Sequence, residues 1–189
     1  MNVEQDIQES LRVLKSGGII LYPTDTIWGI GCDATNEKAV EKIYTLKQRP
    51  GEKAMIVLLA AERELISYVS ALDIEVFNYL ETIQKPTTII YEGAIGLAPN
   101  LINKDGSIAI RIIKEEFCKH LIKRLGKPLV STSANLSGKP SPVFFKDIDP
   151  LLIKGVGYCV NYRQNELTQS QPSSIVKWNK DRTVTVIRP

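Results

Sequence analysis

The sequence predicts an α/β fold, a twisted sheet of mixed parallel and antiparallel strands with helices packed on it. Short apolar runs of strand length alternate with stretches of helical periodicity through most of the chain. Strand-like runs then dominate its end, which breaks the pattern of an all-parallel fold. No linker-like stretch divides the 189 residues, so one domain over 1–189 is expected, with no additional C-terminal domain.

Taken in order, Val3, Ile7, Leu11 and Leu14 recur at helical spacing, and Gly17-Gly18 ends that helix. Ile19 to Tyr22 reads as a buried strand stopped by Pro23. The loop Pro23-Thr24-Asp25-Thr26-Ile27-Trp28-Gly29-Ile30-Gly31 offers hydroxyls, one carboxylate and glycines that let backbone approach a ligand. Asn36 caps a helix through Val40, Ile43 and Leu46, and Lys47 and Arg49 fall at its end. Taken alone, these two cations do no more than complement the helix dipole. Met55 to Leu59 is a strand, and Glu62 to Val69 and Asp73 to Ile83 are helices, with Asp73 capping the second. Thr87 to Tyr91 is a strand, Glu92 to Gly106 a long loop, and Ser107 to Ile112 a strand that carries Arg111. An Arg there either points outward or pairs with a buried anion. Glu115 to Leu125 is an amphipathic helix closed by Gly126, with His120 on its surface. Ile148 to Lys154 is a short helix, and Tyr158 to Asn161, Ser174 to Trp178 and Thr183 to Ile187 are strands.

Between the last two helices lies the richest stretch, Ser131 to Pro142, after the buried strand Pro128-Leu129-Val130. It reads either as a Ser-rich turn or as a loop whose hydroxyls and N–H groups hold an anion. Elsewhere the sequence excludes common chemistry. It has no Walker-type phosphate loop, no Cys/His cluster for zinc and no G-x-S-x-G elbow. Its three cysteines, Cys32, Cys118 and Cys159, lack metal-ligand spacing and imply reduced thiols and a cytoplasmic location. The polar, acidic start is not a signal peptide, and no apolar run approaches the roughly 20 residues of a membrane span. A net charge of +3 permits an anionic partner without demanding one. What remains is a set of cations (Lys47, Arg49, Lys53, Arg111) and hydroxyls (Thr24, Thr26, Ser131, Thr132, Ser133, Ser141) near predicted element ends. Such a set suits phosphates and a small carboxylate, with catalysis by positioning and charge neutralisation.

The Lys47-Gln48-Arg49 and Ser133-Ala134-Asn135 motifs, in this order, resemble the YrdC-like family of threonylcarbamoyl-AMP synthases. The resemblance extends over nearly the whole chain, through Pro23 to Gly31, Lys85-Pro86-Thr87-Thr88, Ile110-Arg111, Pro172 to Val176 and Val186 to Pro189. It implies a nucleotidyltransferase that makes threonylcarbamoyl-AMP and pyrophosphate from L-threonine, bicarbonate or CO2 and ATP, for threonylcarbamoyladenosine in tRNA. It implies that Lys47 and Arg49 are catalytic and that Arg49, Lys53, Ser133, Asn135, Ser141 and Arg188 bind ATP. Thr26, Arg111, Ser131 and Ser173 would bind threonine. Mg2+ would accompany the ATP without a protein metal ligand, Asp25 being a turn cap. Partners would be tRNA and the machinery that transfers the threonylcarbamoyl group, with no membrane.

Three departures stand out: Ile112-Ile113 after Arg111, where the family has proline, Ala54-Met55 in place of Pro-Leu, and Asn161 to Gln164 in place of Asp-x-Gly. The last bears on the back wall of the nucleotide site. An RNA-binding module without adenylate synthesis is the rival from another class. It lacks a stacking platform of aromatics beside the basic positions.

Overall fold

Among residues 2–48 and 55–189, which the computed structural model describes, nine strands form one mixed sheet. In chain order they are β1 (Ile20–Tyr22), β2 (Gly29–Gly31), β3 (Ile56–Leu59), β4 (Thr87–Tyr91) and β5 (Ile108–Ile112). Then come β6 (Leu129–Ser133), β7 (Tyr158–Cys159), β8 (Ser174–Trp178) and β9 (Val184–Arg188). Their order across the sheet is β7-β1-β2-β6-β3-β5-β4-β8-β9. The pairs β1/β7, β3/β5 and β4/β8 are parallel and the others antiparallel. Five helices accompany them: α1 (Val3–Lys15), α2 (Glu37–Leu46), α3 (Glu75–Thr82), α4 (Glu116–Leu125) and α5 (Pro150–Gly155).

Side chains alternate across a strand, so each strand feeds two cores. Leu21, Val57, Leu59 and Val130 pack with Val40 and Ile43 of α2, Val76 of α3 and Leu152 of α5. Ile20, Tyr22, Leu58 and Leu129 face the other way and meet Ile7, Leu11 and Leu14 of α1 and Phe117 and Leu121 of α4. The helices begin where their caps dictate. The side chains of Asn2, Asn36 and Asp149 accept the N–H groups of Glu4, Ala39 and Leu151 at 3.0, 3.1 and 2.9 Å. Gly126, at φ +71°, ends α4 as the sequence predicts. Asp73 likewise accepts from the Glu75 N–H at 3.1 Å.

Several expected boundaries move. The strand before the Ser-rich stretch does not stop at Val130 but continues through Ser131-Thr132-Ser133, because β2 and β3 pair with it on either side. Gly29–Gly31 is strand rather than loop, and a Cβ on Gly31 would lie 2.3 Å from the Val130 carbonyl oxygen. Only glycine lets β2 lie that close. Glu62 to Val69 is a 3-10 turn over Glu62–Ser67, and Pro99–Leu101 forms another inside the long loop. Ile113, where the resemblance leads one to expect proline, donates its N–H to the Leu59 carbonyl at 3.0 Å, a bond proline could not make.

The segment after β7 closes the fold against α1. Asp6 is 2% exposed and accepts from the Tyr158 hydroxyl at 2.6 Å, the Asn161 N–H at 3.1 Å, Asn161 Nδ2 at 3.0 Å and the Tyr162 N–H at 2.8 Å. Burial alone would raise its pKa, but these donors together hold it below the ordinary 3.8. Its stabilisation is therefore complete above the unfolded pKa and is lost as pH falls through the lower folded value. Asp6→Asn should cost roughly 2–3 kcal/mol at neutral pH, because the amide replaces a charged acceptor of several bonds. Urea unfolding at pH 7 and across pH 2–5 would check both points: the variant should be weaker at pH 7 and lose less stability on acidification than the parent.

Candidate functional site

On the face that carries α1 and α4, the sheet extends beyond its helices. Ile56, Ile90, Ala109, Ile175 and Ile187 there form the floor of a cleft of about 390 Å³. The register explains the floor, since Ser131, Ile56, Ala109 and Ile90 lie directly across from one another on β6, β3, β5 and β4. Thr26, Arg111, Ser131, Ser133, Ser141, Ser173 and Arg188 line the same cleft. Residues predicted from separate stretches of sequence thus meet in one place. Gly29 keeps it open, because a Cβ there would stand 3.0 Å from Ser131 Oγ. Trp28 also lines the cleft but is buried and packed on Phe145, ring centres 4.9 Å apart.

The hydroxyls are held in defined senses. Thr24 Oγ donates to the Ile27 carbonyl at 2.8 Å and accepts the Thr26 N–H at 3.1 Å. Its one proton being used, the 2.9 Å contact between the two threonine hydroxyls has Thr26 as donor. Thr26 Oγ therefore offers only lone pairs to a ligand. Ser173 is fixed by a 2.8 Å hydroxyl contact with Thr88, and its carbonyl accepts from Arg188 Nε and Nη2 at 3.1 and 2.7 Å. Partial burial, and then the positive charge of Arg111, lower the Arg188 pKa from its ordinary value.

Arg111 is 4% exposed, and the two possibilities left open by the sequence resolve into the second. Its Nη2 lies 3.3 Å from Asp25 Oδ1, and Asp25 Oδ2 accepts the Lys114 N–H at 3.1 Å. Asp25 is thus a counter-ion to Arg111 rather than a turn cap of its own loop. Arg111 Nε is buried without a hydrogen-bond partner. A buried donor of this kind, at the wall of a cleft, suits an incoming acceptor.

Lys47 and Asn135 stand behind the cleft, not on its lining as described. Lys47 is fully buried at the C-cap of α2, and its Nζ donates to the Ser133 and Asn135 carbonyls. Asn135 Nδ2 donates to the carbonyls of Leu136 and Lys139 at 3.0 and 2.7 Å. Arg49, Lys53 and Ala54 lie outside the described residues. The Asn161–Gln164 segment serves α1 and the Thr24 loop: Asn161 and Tyr162 hold Asp6, and Arg163 Nη1 donates to the Thr24 carbonyl at 2.9 Å. Sequence reasoning gave no role to Arg163, which also pairs with Glu166 three residues on.

A second cavity, of about 420 Å³, lies between Val69–Asp73, Tyr91–Gly93 and Trp178–Lys180. Its charged residues are already neutralised, Asp73 by Arg182 at 3.1 Å and Glu92 by Lys177 and Lys180 at 3.3 Å each. The hydroxyl-lined cleft, with two guanidiniums beside one carboxylate, is the better place for an anion. The described residues gather no cluster of three His, Cys, Asp or Glu side chains for a metal ion, and Asp25 is committed to Arg111. They do not fit a magnesium ion held by protein ligands.

Asp25→Asn should destabilise the protein by about 3 kcal/mol, since it leaves a buried guanidinium without its counter-charge. Urea unfolding measures the loss, and an unchanged midpoint would show that solvent already screens the pair.

A family model described as "Telomere recombination", for Sua5, YciO and YrdC sequences, matches residues 12–189. A threonylcarbamoyl-AMP synthase of Photobacterium profundum is 37% identical over 138 residues, spanning 71% of this chain and 75% of that protein. One from Pseudoalteromonas translucida is 33% identical over 178 residues, spanning 93% and 94%. The crystal structure of P. abyssi Sua5 complexed with L-threonine superposes with a TM-score of 0.86 at 20% identity, a likeness of fold that covers this whole chain but 55% of that one. No helix among the described residues is long and apolar enough to cross a membrane. The chain belongs to the Sua5/YciO/YrdC family.

Proposed function

We propose that this protein is a threonylcarbamoyl-AMP synthase, a nucleotidyltransferase that joins L-threonine, bicarbonate or CO2 and the adenylyl group of ATP. The observation that carries this is the convergence of Thr26, Arg111, Ser131, Ser133, Ser141, Ser173 and Arg188 on one cleft. Relatives named for that activity match over most of the chain.

The chemistry asks for two anions to be held side by side. The threonine amine takes up CO2 and loses a proton, giving a carbamate. A carbamate oxygen then attacks the α-phosphorus; the new P–O bond forms as the bond to the β-phosphate oxygen breaks, and pyrophosphate leaves. The attacking oxygen is already anionic, so no strong side-chain base is required. The rate comes from orientation and from neutralising charge. Arg111, with its unpartnered Nε, takes the threonine carboxylate, aided by Ser131 and Ser173. Thr26, left as an acceptor, suits the substrate N–H. Ser133, Ser141 and Arg188, with Arg49 and Lys53, take the nucleotide. Ser131 and Ser133 are two residues apart on one face of β6, roughly 7 Å, the span from an amino-acid head to a phosphate. Magnesium arrives on the triphosphate. The product passes in the cytoplasm to machinery that transfers the threonylcarbamoyl group to tRNA.

Incubation with labelled bicarbonate, threonine, ATP and magnesium should yield a labelled adenylate and pyrophosphate. Binding of RNA with salt dependence, but no adenylate, would favour the RNA-binding module instead.

Arg111→Lys should raise the apparent KM for threonine about tenfold or more and that for ATP less, because lysine keeps the charge and loses the two-pronged geometry. Each substrate is varied with the other saturating, and pyrophosphate release is followed. Equal losses would indicate a distorted cleft, and a loss confined to ATP would move Arg111 to the phosphate side.

A further inference from the structure

Lys47 is a fully buried candidate residue whose side chain meets main chain. It is 0% exposed, and its ammonium donates to two main-chain carbonyls, Ser133 and, at 2.6 Å, Asn135. Its own carbonyl accepts the Ser137 N–H at 3.0 Å. One residue at the end of α2 therefore grips the segment after β6 at three points. The segment is also braced from within. Lys139 N–H closes a turn on the Leu136 carbonyl at 3.1 Å, with Gly138 at φ +82° in its third position, the pattern of a type II turn. Asn135 Nδ2 spans that turn. Ala134 N–H donates to the Trp28 carbonyl at 3.0 Å, which ties the same segment to the loop of Thr26.

We propose that Lys47 is a positioning residue. Its ammonium fixes the 133–139 segment before any ligand arrives, and so sets where Ser133 and Ser141 present their hydroxyls, without itself touching the substrates. The proposal rests on the assignment of Ser133 and Ser141 to the nucleotide. Burying a lysine completely is unfavourable unless its donors are met, and the Ser133 and Asn135 carbonyl oxygens meet two of them here. A loop held in this way has little conformational freedom left to lose when the nucleotide binds.

Two variants separate positioning from direct catalysis. Lys47→Met keeps the stem and removes the ammonium. Ser137→Pro removes one main-chain grip and leaves the ammonium in place, and the second position of a type II turn accepts proline. Amide exchange of peptides covering 133–139 is measured in folded, ligand-free protein. Lys47→Met should speed it roughly tenfold or more and Ser137→Pro about threefold. Both should raise the apparent KM for ATP, while the Kd for threonine alone, by calorimetry, changes less than about threefold. A collapse of kcat in Lys47→Met with unchanged exchange and unchanged KM for ATP would overturn the proposal and place the ammonium on the reacting atoms. Should Lys47→Met fail to fold, Lys47→Gln, which keeps a polar group and removes the charge and the reach, takes its place, and unchanged exchange in that variant would overturn it equally. Were the parent to make no adenylate, the assigned reaction would fall, while the exchange measurement would still decide whether Lys47 clamps the loop.

Discussion

The sheet offers one face wider than the two helices that cover it, and the site grows out of that mismatch. Leu129 and Leu58 pack beneath α1 and α4, while Ser131 and Ile56, two residues away on the same strands, already face the cleft. The period of two that builds the core therefore carries straight into the binding surface, with no change of backbone. Small hydroxyls replace leucine where cover ends, and isoleucines form an apolar floor. A cleft on paired strands moves less than one made of loops, which suits a reaction limited by geometry.

Placing Arg111 on such a strand has a consequence for charge. A buried guanidinium needs an anion when no ligand is bound, and Asp25 supplies it from the far side. Asp25 is itself held by the Lys114 N–H, which fixes its carboxylate beside Arg111. Partial burial first, and the positive charge of Arg111 second, lower the Arg188 pKa, and both guanidiniums line the cleft. On the proposed assignment, anionic substrates would relieve the positive surplus of the two guanidiniums over the one carboxylate.

Elements with strong periodicity were legible in the sequence: α1, α4, β4 and β8 lie within a residue of their expected bounds. β2 and the end of β6 were not. Gly29-Ile30-Gly31 has no alternating side chains to reveal a strand, and its glycines answer a close approach to β6 and Tyr22 that exists only in three dimensions. Ser131-Thr132-Ser133 looks like loop by composition, and only pairing on both sides makes it strand. The residues lining the site were legible through their motifs, whereas their partners were not. Nothing local announces that Asp25 meets Arg111, or that Arg163 reaches the Thr24 carbonyl. The departure at Asn161 to Gln164 illustrates the same limit. Its residues hold Asp6 and the Thr24 carbonyl, a structural duty that motif comparison cannot show.

Several of the bonds that assemble the site share a chemical asymmetry. Lys47 donates to the Ser133 and Asn135 carbonyls, Arg163 to the Thr24 carbonyl and Arg188 to the Ser173 carbonyl. In each the donor is a specific side chain and the acceptor is main chain, which every residue type provides. The acceptor positions are then free to change side chain for reasons of their own, so that Ser133 and Ser173 can be chosen for the ligand while their carbonyls hold the scaffold. The donors have less freedom, since only lysine and arginine combine such length with a positive charge. Where a reaction depends on position rather than on a base, sequence constraint should therefore fall on a scaffold cation such as Lys47 as heavily as on the hydroxyls that meet the substrate.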